Sequence, residues 1–441
     1  MKPIVWNSLQ GQMSKAWRQC RDEGLDVESL RLRCEQADKS NDIEEGKLTA
    51  LYYELLNSPQ NKDYIYIEPT QFEDIIRECT IVNKDKETTA DSERIKGAWA
   101  GRIAGCMLGK PLEGQPYSYR KAVFEAAHNW PITNFLLKSK TPPTVFRGNE
   151  DYEQCFFADA YEIMPGDDDT NYTVLSLLLF EKYGEQFTPD DILELWLAQL
   201  PYLSVCTAER VAYRNAIEGL GAPQSALHKN PYREYIGAQI RADFYGYVYP
   251  GEPLRAVKAA YLDASISHVK NGIYGSLFVA AAISIAAVES DPQKVVREAL
   301  NYVPKKSRLR QKAEEILTIY KQNGDFEILL LHLRKDLTET DEFDWVHVLP
   351  NALVVISALL CGEGDFEKSI TLAVSAGLDT DCNGATVGSI VGMMKGFSKI
   401  TSKWYSPFRQ TLRTNLAEIP VITIDELTSR TMAVIDKIKN R

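Results

Sequence analysis

Gly97-Ala-Trp-Ala-Gly101-Arg-Ile-Ala-Gly105-Cys-Met-Leu-Gly109, and far along the chain Gly384-Ala-Thr-Val-Gly388-Ser-Ile-Val-Gly392-Met-Met-Lys-Gly396, each carry a glycine at every fourth residue. On a helix, positions i and i+4 share a face, so each stretch presents a groove free of side chains in which another backbone can approach closely. An interior glycine costs a helix roughly 1 kcal/mol relative to alanine, so four in register call for a packing reason. The alternative is a glycine-rich loop, but Trp99, Ala100, Ile103, Ala104, Met107 and Leu108 are not loop residues. Two helices are expected, each packed tightly on a neighbour and most simply on each other.

The surrounding sequence also reads as helical. Apolar periodicity of the helical kind recurs at Val174 to Tyr183, Pro189 to Leu200, Pro253 to Asp263, Tyr274 to Ser290, Ser307 to Gln322, Pro350 to Cys361 and Phe366 to Ala376. Turn signals separate these stretches, at Gly219 to Pro223 and at Tyr249 to Pro253. Strands are nearly absent, although the alternation Tyr64, Ile65, Tyr66, Ile67 is compatible with a short one. Residues 1 to 82 are rich in Glu and Lys, and the polar run from Asn83 to Ser92 reads as a linker. The expected organisation is an N-terminal helical accessory region, 1–82, followed by a larger all-α domain, 93–441.

With 441 residues, 44% hydrophobic and 25% charged, the chain has average globular composition. A net charge of −11 spread along the chain disfavours a nucleic-acid backbone as partner. The apolar run Leu277 to Val288 is too short for the ~20 residues of a membrane span, and no secretory leader opens the sequence. Eight cysteines without a C-x-x-C pair point to free thiols in a reducing compartment, so a cytoplasmic location is expected. Oligomeric state is not legible.

Two acidic clusters stand beside apolar helical runs. Pro165-Gly166-Asp167-Asp168-Asp169-Thr170 precedes the run from Val174, and Gly377-Leu378-Asp379-Thr380-Asp381-Cys382-Asn383 precedes the second glycine ladder. One Asp at such a place is explained as an N-cap, since its carboxylate satisfies an orphan amide and suits the helix dipole. Three adjacent carboxylates exceed that need. If both clusters sit at neighbouring helix starts, Asp167, Asp168, Asp169, Asp379 and Asp381 converge, and hard divalent cations are the economical compensation for their repulsion.

The ordered set Arg94-x-x-Gly97-x-x-x-Gly101-x-x-x-Gly105-x-x-x-Gly109-x-Pro111-x-Glu113, then Asp168-Asp169-Thr170, then Gly377-x-Asp379-Thr380-Asp381, resembles the ADP-ribosylglycohydrolase family over about residues 93 to 400. The resemblance implies an orthogonal bundle of helices with a centre of one or two Mg²⁺ or Mn²⁺ ions. It also implies cleavage of the bond at the anomeric carbon of ADP-ribose or an ADP-ribosylated target. Carried onto this sequence, the metal ligands are Asp168, Asp169, Asp379 and Asp381, with Asp167 where the family usually has Thr or Ser. Glu113 falls where some members carry an acidic residue on a flap, although a Glu in such a turn is by itself more often simply solvated. Cys382 stands at a position often held by a Thr ligand and Cys106 at that of an Asp. A thiol suits Mg²⁺ poorly, so a second ion is expected to be weakened, to be Mn²⁺, or to lean on a main-chain carbonyl.

One more polar loop leads into an apolar helix, Asp263 to Gly275. The resemblance places a ligand-facing His at His268, although a lone His is more often structural; Asn271, Gly272, Tyr274 and Gly275 would suit a ribose or phosphate on exposed amides. Asn383 is a further substrate candidate, and His347 and Asn351 are weaker ones. The catalytic expectation is that Asp168 or Asp169 activates water, with Glu113 accepting or supplying a proton. Two rivals remain: a two-metal nucleotide phosphohydrolase, and a nucleotide-binding module with little turnover.

Overall fold

The computed structural model describes residues 8–40, 44–81, 90–335, 337–338 and 341–440. It is 67% helical and 3% strand, so the chain is all-α as its periodicity implies. The linker expected from Asn83 lies outside the described residues as far as 89; beyond it, Asp91 caps a helix by accepting from the Glu93 amide at 2.9 Å.

That helix, Ser92–Gly109, and the helix Thr380–Lys395 are the centre of the molecule. Every residue from Gly97 to Gly109 and from Thr380 to Met394 is buried. The two run antiparallel, glycine against glycine. A Cβ placed on Gly97 would stand 2.3 Å from the Gly392 carbonyl oxygen, one on Gly101 2.0 Å from that of Gly388, and one on Gly105 1.9 Å from that of Gly384. No side chain fits at these separations. The antiparallel sense fixes the site: it brings the end of the first helix, at Gly109, against the start of the second, at Thr380. There the Thr380 hydroxyl donates to the Gly109 carbonyl at 2.7 Å.

The helix Asp168–Tyr183 is pinned to this pair by Arg102, which leaves the first glycine helix fully buried. Its guanidinium donates to the Asp169 carbonyl oxygen at 2.8 and 2.6 Å and pairs with Asp243 at 2.8 Å. The turn before this helix is held from another side. A small hairpin, Thr411–Arg413 against Val421–Thr423, exchanges backbone bonds with Met164, and Asn415 pairs with Asn171 through both amide groups.

Residues 9 to 55 form a small core of their own around Met13, Trp17, Tyr52 and Leu55, whereas Ile75 and Cys79 belong to the main one. A seam of buried ions joins the two. Glu23 pairs with Arg233 at 2.6 Å, Glu68 with Arg308 at 2.8 Å, and Glu234 receives Gln19 at 2.7 Å and Arg308 at 2.7 Å. The strand envisaged at Tyr64 to Ile67 does not form. These residues are extended, but their alternation separates ring-packed Tyr64 and Tyr66 from exposed Ile65 and Ile67, and only the Ile67 amide reaches another segment, at the Lys306 carbonyl. All eight cysteines are free. No helix among the described residues is long and apolar enough to cross a membrane.

Candidate metal centre

Both acidic clusters open helices. Asp167 is the cap of its helix, accepting from the Asp169 amide at 2.9 Å, so capping accounts for one of three carboxylates there. Asp379 occupies the cap position of the second glycine helix but its side chain makes no cap bond. Capping therefore does not explain it. The Oδ1 atom of Asp379 and the Oδ2 atom of Asp169 are buried with no hydrogen-bond partner among the described residues. An unpaired buried carboxylate oxygen is costly, so each of the two calls for a proton or a cation.

The donors form three groups whose ligand atoms lie within 4.8 Å of one another: Glu113, Asp379 and Asp381; Asp169, Asp381 and Cys382; Cys106, Asp167 and Asp169. Asp381 belongs to two groups and Asp169 to two, so the set is a continuous chain of donors. Such a set could hold a divalent ion. Burial and then the neighbouring carboxylates push the carboxyls of Asp169, Asp379 and Asp381 above the ordinary range. For Asp167 burial acts in the same direction, but the Lys110 ammonium and hydrogen bonds from the Asp169 amide and Asp168 together outweigh it and hold this carboxyl low. The same burial and crowding push the Cys106 and Cys382 thiols up, which keeps them protonated. A protonated thiol is a weak ligand, so the carboxylates dominate the donor set.

Glu113, carried on the turn after the first glycine helix, is the exposed member. Asp168 is half-buried and stands outside all three groups, unlike the two residues that flank it. Asn383 lies beneath: its amide donates to Asn351 Oδ1 at 2.7 Å, and the same oxygen receives the Asp379 amide at 3.2 Å. Asn351 in turn donates to the carbonyls of Trp345 and His347. Thus Asn351 braces the second cluster.

The residues from 268 to 275 require correction. The amides expected to be exposed at this helix start are already taken, because Asn271 donates its backbone N–H to Glu234 at 3.0 Å and Gly272 donates to the Val269 carbonyl at 3.0 Å. The Asn271 side chain bonds Glu68 and Glu234, Tyr274 donates to the Pro69 carbonyl, and His268, fully buried, meets the Ser267 hydroxyl at 2.8 Å. Gly272 is packed against Arg233 and His268, and Gly275 against Val348 and Gln239. The structure thus buries all five residues, with Asn271 in the ionic seam beneath the N-terminal region. A ribose has no access to their amides.

Two cations escaped the sequence reading. Lys110 bonds Asp167 and stands 3.9 Å from Asp381, and Arg102 fixes Asp169 from behind. The available signal was a charged residue inside or directly after an otherwise apolar, glycine-rich helix.

Buried carboxylates thus converge at two neighbouring helix starts, where they could hold a divalent ion. The family model for ADP-ribosylglycohydrolase matches residues 86–435, and the chain belongs to that family, whose members are hydrolases acting on glycosyl bonds. A solved structure described as "ADP-ribosylglycohydrolase-related protein complex" is similar over 79% of this chain and 98% of its own, at 18% identity and a TM-score of 0.48. No curated protein matches.

Proposed function

We propose that this chain is a divalent-cation-dependent glycohydrolase acting at the anomeric carbon of an ADP-ribosyl or related ribosyl substrate. The observation that carries the reading is the pair of unpartnered buried oxygens, Asp169 Oδ2 and Asp379 Oδ1, with Asp381 shared between their donor groups. Asp169, Asp379, Asp381 and Glu113 are the residues to hold Mg²⁺ or Mn²⁺. When bound, such an ion supplies Lewis acidity toward ribose hydroxyls and acidifies a coordinated water.

The protein's own part is positional and electrostatic. Bond cleavage at the anomeric carbon builds positive charge on the sugar, and a wall of carboxylates at two helix starts favours that charge. Asp168, half-open beside the cluster and outside the donor groups, accepts the proton of the attacking water; the water oxygen bonds to the anomeric carbon as the leaving group departs with a proton taken from solvent. Arg102 holds the Asp169 backbone through its carbonyl and the carboxylate through Oδ1. The N-terminal region is assigned a structural role, since none of its described residues enters the donor groups.

Mass spectrometry of products from ADP-ribosylated peptides, ADP-ribose conjugates and nucleosides tests this, with Mg²⁺ or Mn²⁺ against chelator. Metal-dependent release of free ADP-ribose or ribose is expected. Inorganic phosphate as product would instead indicate nucleotide phosphohydrolysis, and tight binding without turnover in excess metal would indicate a binding module.

A further inference from the structure

We propose that the Lys110 ammonium is a built-in cation of this centre, so that the site takes a single divalent ion where its extended donor set would otherwise seat two. The inference rests on the metal-dependent reading above. Lys110 directly follows the last residue of the first glycine helix, and that helix end has no freedom. A Cβ on Gly109 would lie 2.2 Å from Thr380 backbone atoms and 2.3 Å from the Asp381 amide nitrogen. The Lys110 backbone is therefore locked beside the second cluster. Its side chain, 13% exposed, runs inward: the ammonium bonds the buried Asp167 carboxylate and stands 3.9 Å from Asp381 Oδ2. The Phe156 ring covers it, 4.7 Å from the nitrogen to the ring centre, a contact that favours a cation.

The donor chain is thereby divided. Its Cys106–Asp167–Asp169 end contains a carboxylate already paired to Lys110 and a thiol, a soft ligand poorly suited to Mg²⁺. Its Glu113–Asp379–Asp381 end contains oxygen donors alone, and Asp379 Oδ1 there has no partner. One hard cation belongs at that second end. The ammonium holds the place of a second.

Counting Mn²⁺ per full-length chain by calorimetry and elemental analysis, together with low-temperature electron paramagnetic resonance at saturating Mn²⁺, decides the matter. One ion per chain and the spectrum of an isolated Mn²⁺ are expected. Lys110→Met should raise the count to two and produce the spectrum of a coupled pair, while Lys110→Arg stays at one. Two ions or a coupled pair in the unaltered protein would overturn the inference and leave the metal-dependent reading intact, as would a folded Lys110→Met that still takes one. Absence of any bound ion would overturn both. Should Lys110→Met fail to fold, the spectrum of the unaltered protein still decides.

Discussion

At the scale of single residues, Asp379 separates a charge effect from a shape effect. Its carboxyl, like those of Asp169 and Asp381, is raised in the folded protein by burial and by its neighbours, whereas an unfolded Asp titrates near 4. A raised carboxyl favours the fold in its protonated form. That stabilisation is complete below about pH 4 and is lost as pH climbs through the raised values. In chelator the melting temperature should therefore fall as pH rises above about 4, and Mg²⁺ or Mn²⁺ should flatten the fall, adding about 2.7 kcal/mol at a hundredfold excess over the dissociation constant. Asp379→Asn should abolish turnover and shrink the metal-induced shift, yet raise the melting temperature of the metal-free protein. Unit charges about 4 Å apart repel by roughly 4 kcal/mol at an effective dielectric near 20, so the relief is measurable. A metal-free Asn variant less stable than its parent across that range would contradict the crowding described here. Both Asp clusters were legible in the sequence because three adjacent carboxylates, or two flanking one residue, are rare beside an apolar run. Lys110 was not, because its partner Asp167 lies in another element and only folding joins them.

At the scale of elements, the glycine ladders were the most readable feature of all, since a four-residue period in a residue that weakens helices has few uses. Packing makes the same substitution act with opposite signs at different sites. Gly101→Ala sets a methyl 2.0 Å from the Gly388 carbonyl oxygen and must part the helices, so a loss of about 3 kcal/mol or more is expected. Gly46 also lies in a helix, Glu45–Leu56, with nothing within 4 Å of its hypothetical Cβ. Gly46→Ala should stabilise by up to about 1 kcal/mol through helix propensity. Denaturant melts of the two variants test the pair, and equal shifts of one sign would refute it. The hairpin at residues 411–423 escaped the sequence reading because strands of three residues carry no alternation to detect. Residues 268 to 275 misled for a different reason. A helix start rich in small and polar residues looks the same whether its amides meet a ligand or, as here, a glutamate from a distant segment.

At the scale of the whole molecule, the N-terminal region is bound by charge as much as by apolar packing. Removing residues 1–82 strips Glu23 from Arg233 and Glu68 from Arg308, leaving buried guanidinium groups short of partners, and takes Ile75 and Cys79 out of the main core. Breaking one buried pair typically costs 3–5 kcal/mol. The truncated chain should therefore melt far below the full protein and be cut readily by protease. Any folded fraction should still bind Mn²⁺, because no donor among the described residues is lost. A truncation as stable as the parent, or folded but without metal affinity, would count against this account of the seam.

The facing glycines also act as notches. Between smooth helices any axial offset can be reached, but here only offsets of four residues, about 6 Å, set one notch against the next. A slip by one notch would carry Asp381 that same distance from Lys110 and Glu113, dismantling the donor group that spans the two helices. The Glu113–Asp379–Asp381 group thus exists only when the ratchet is seated at its correct tooth.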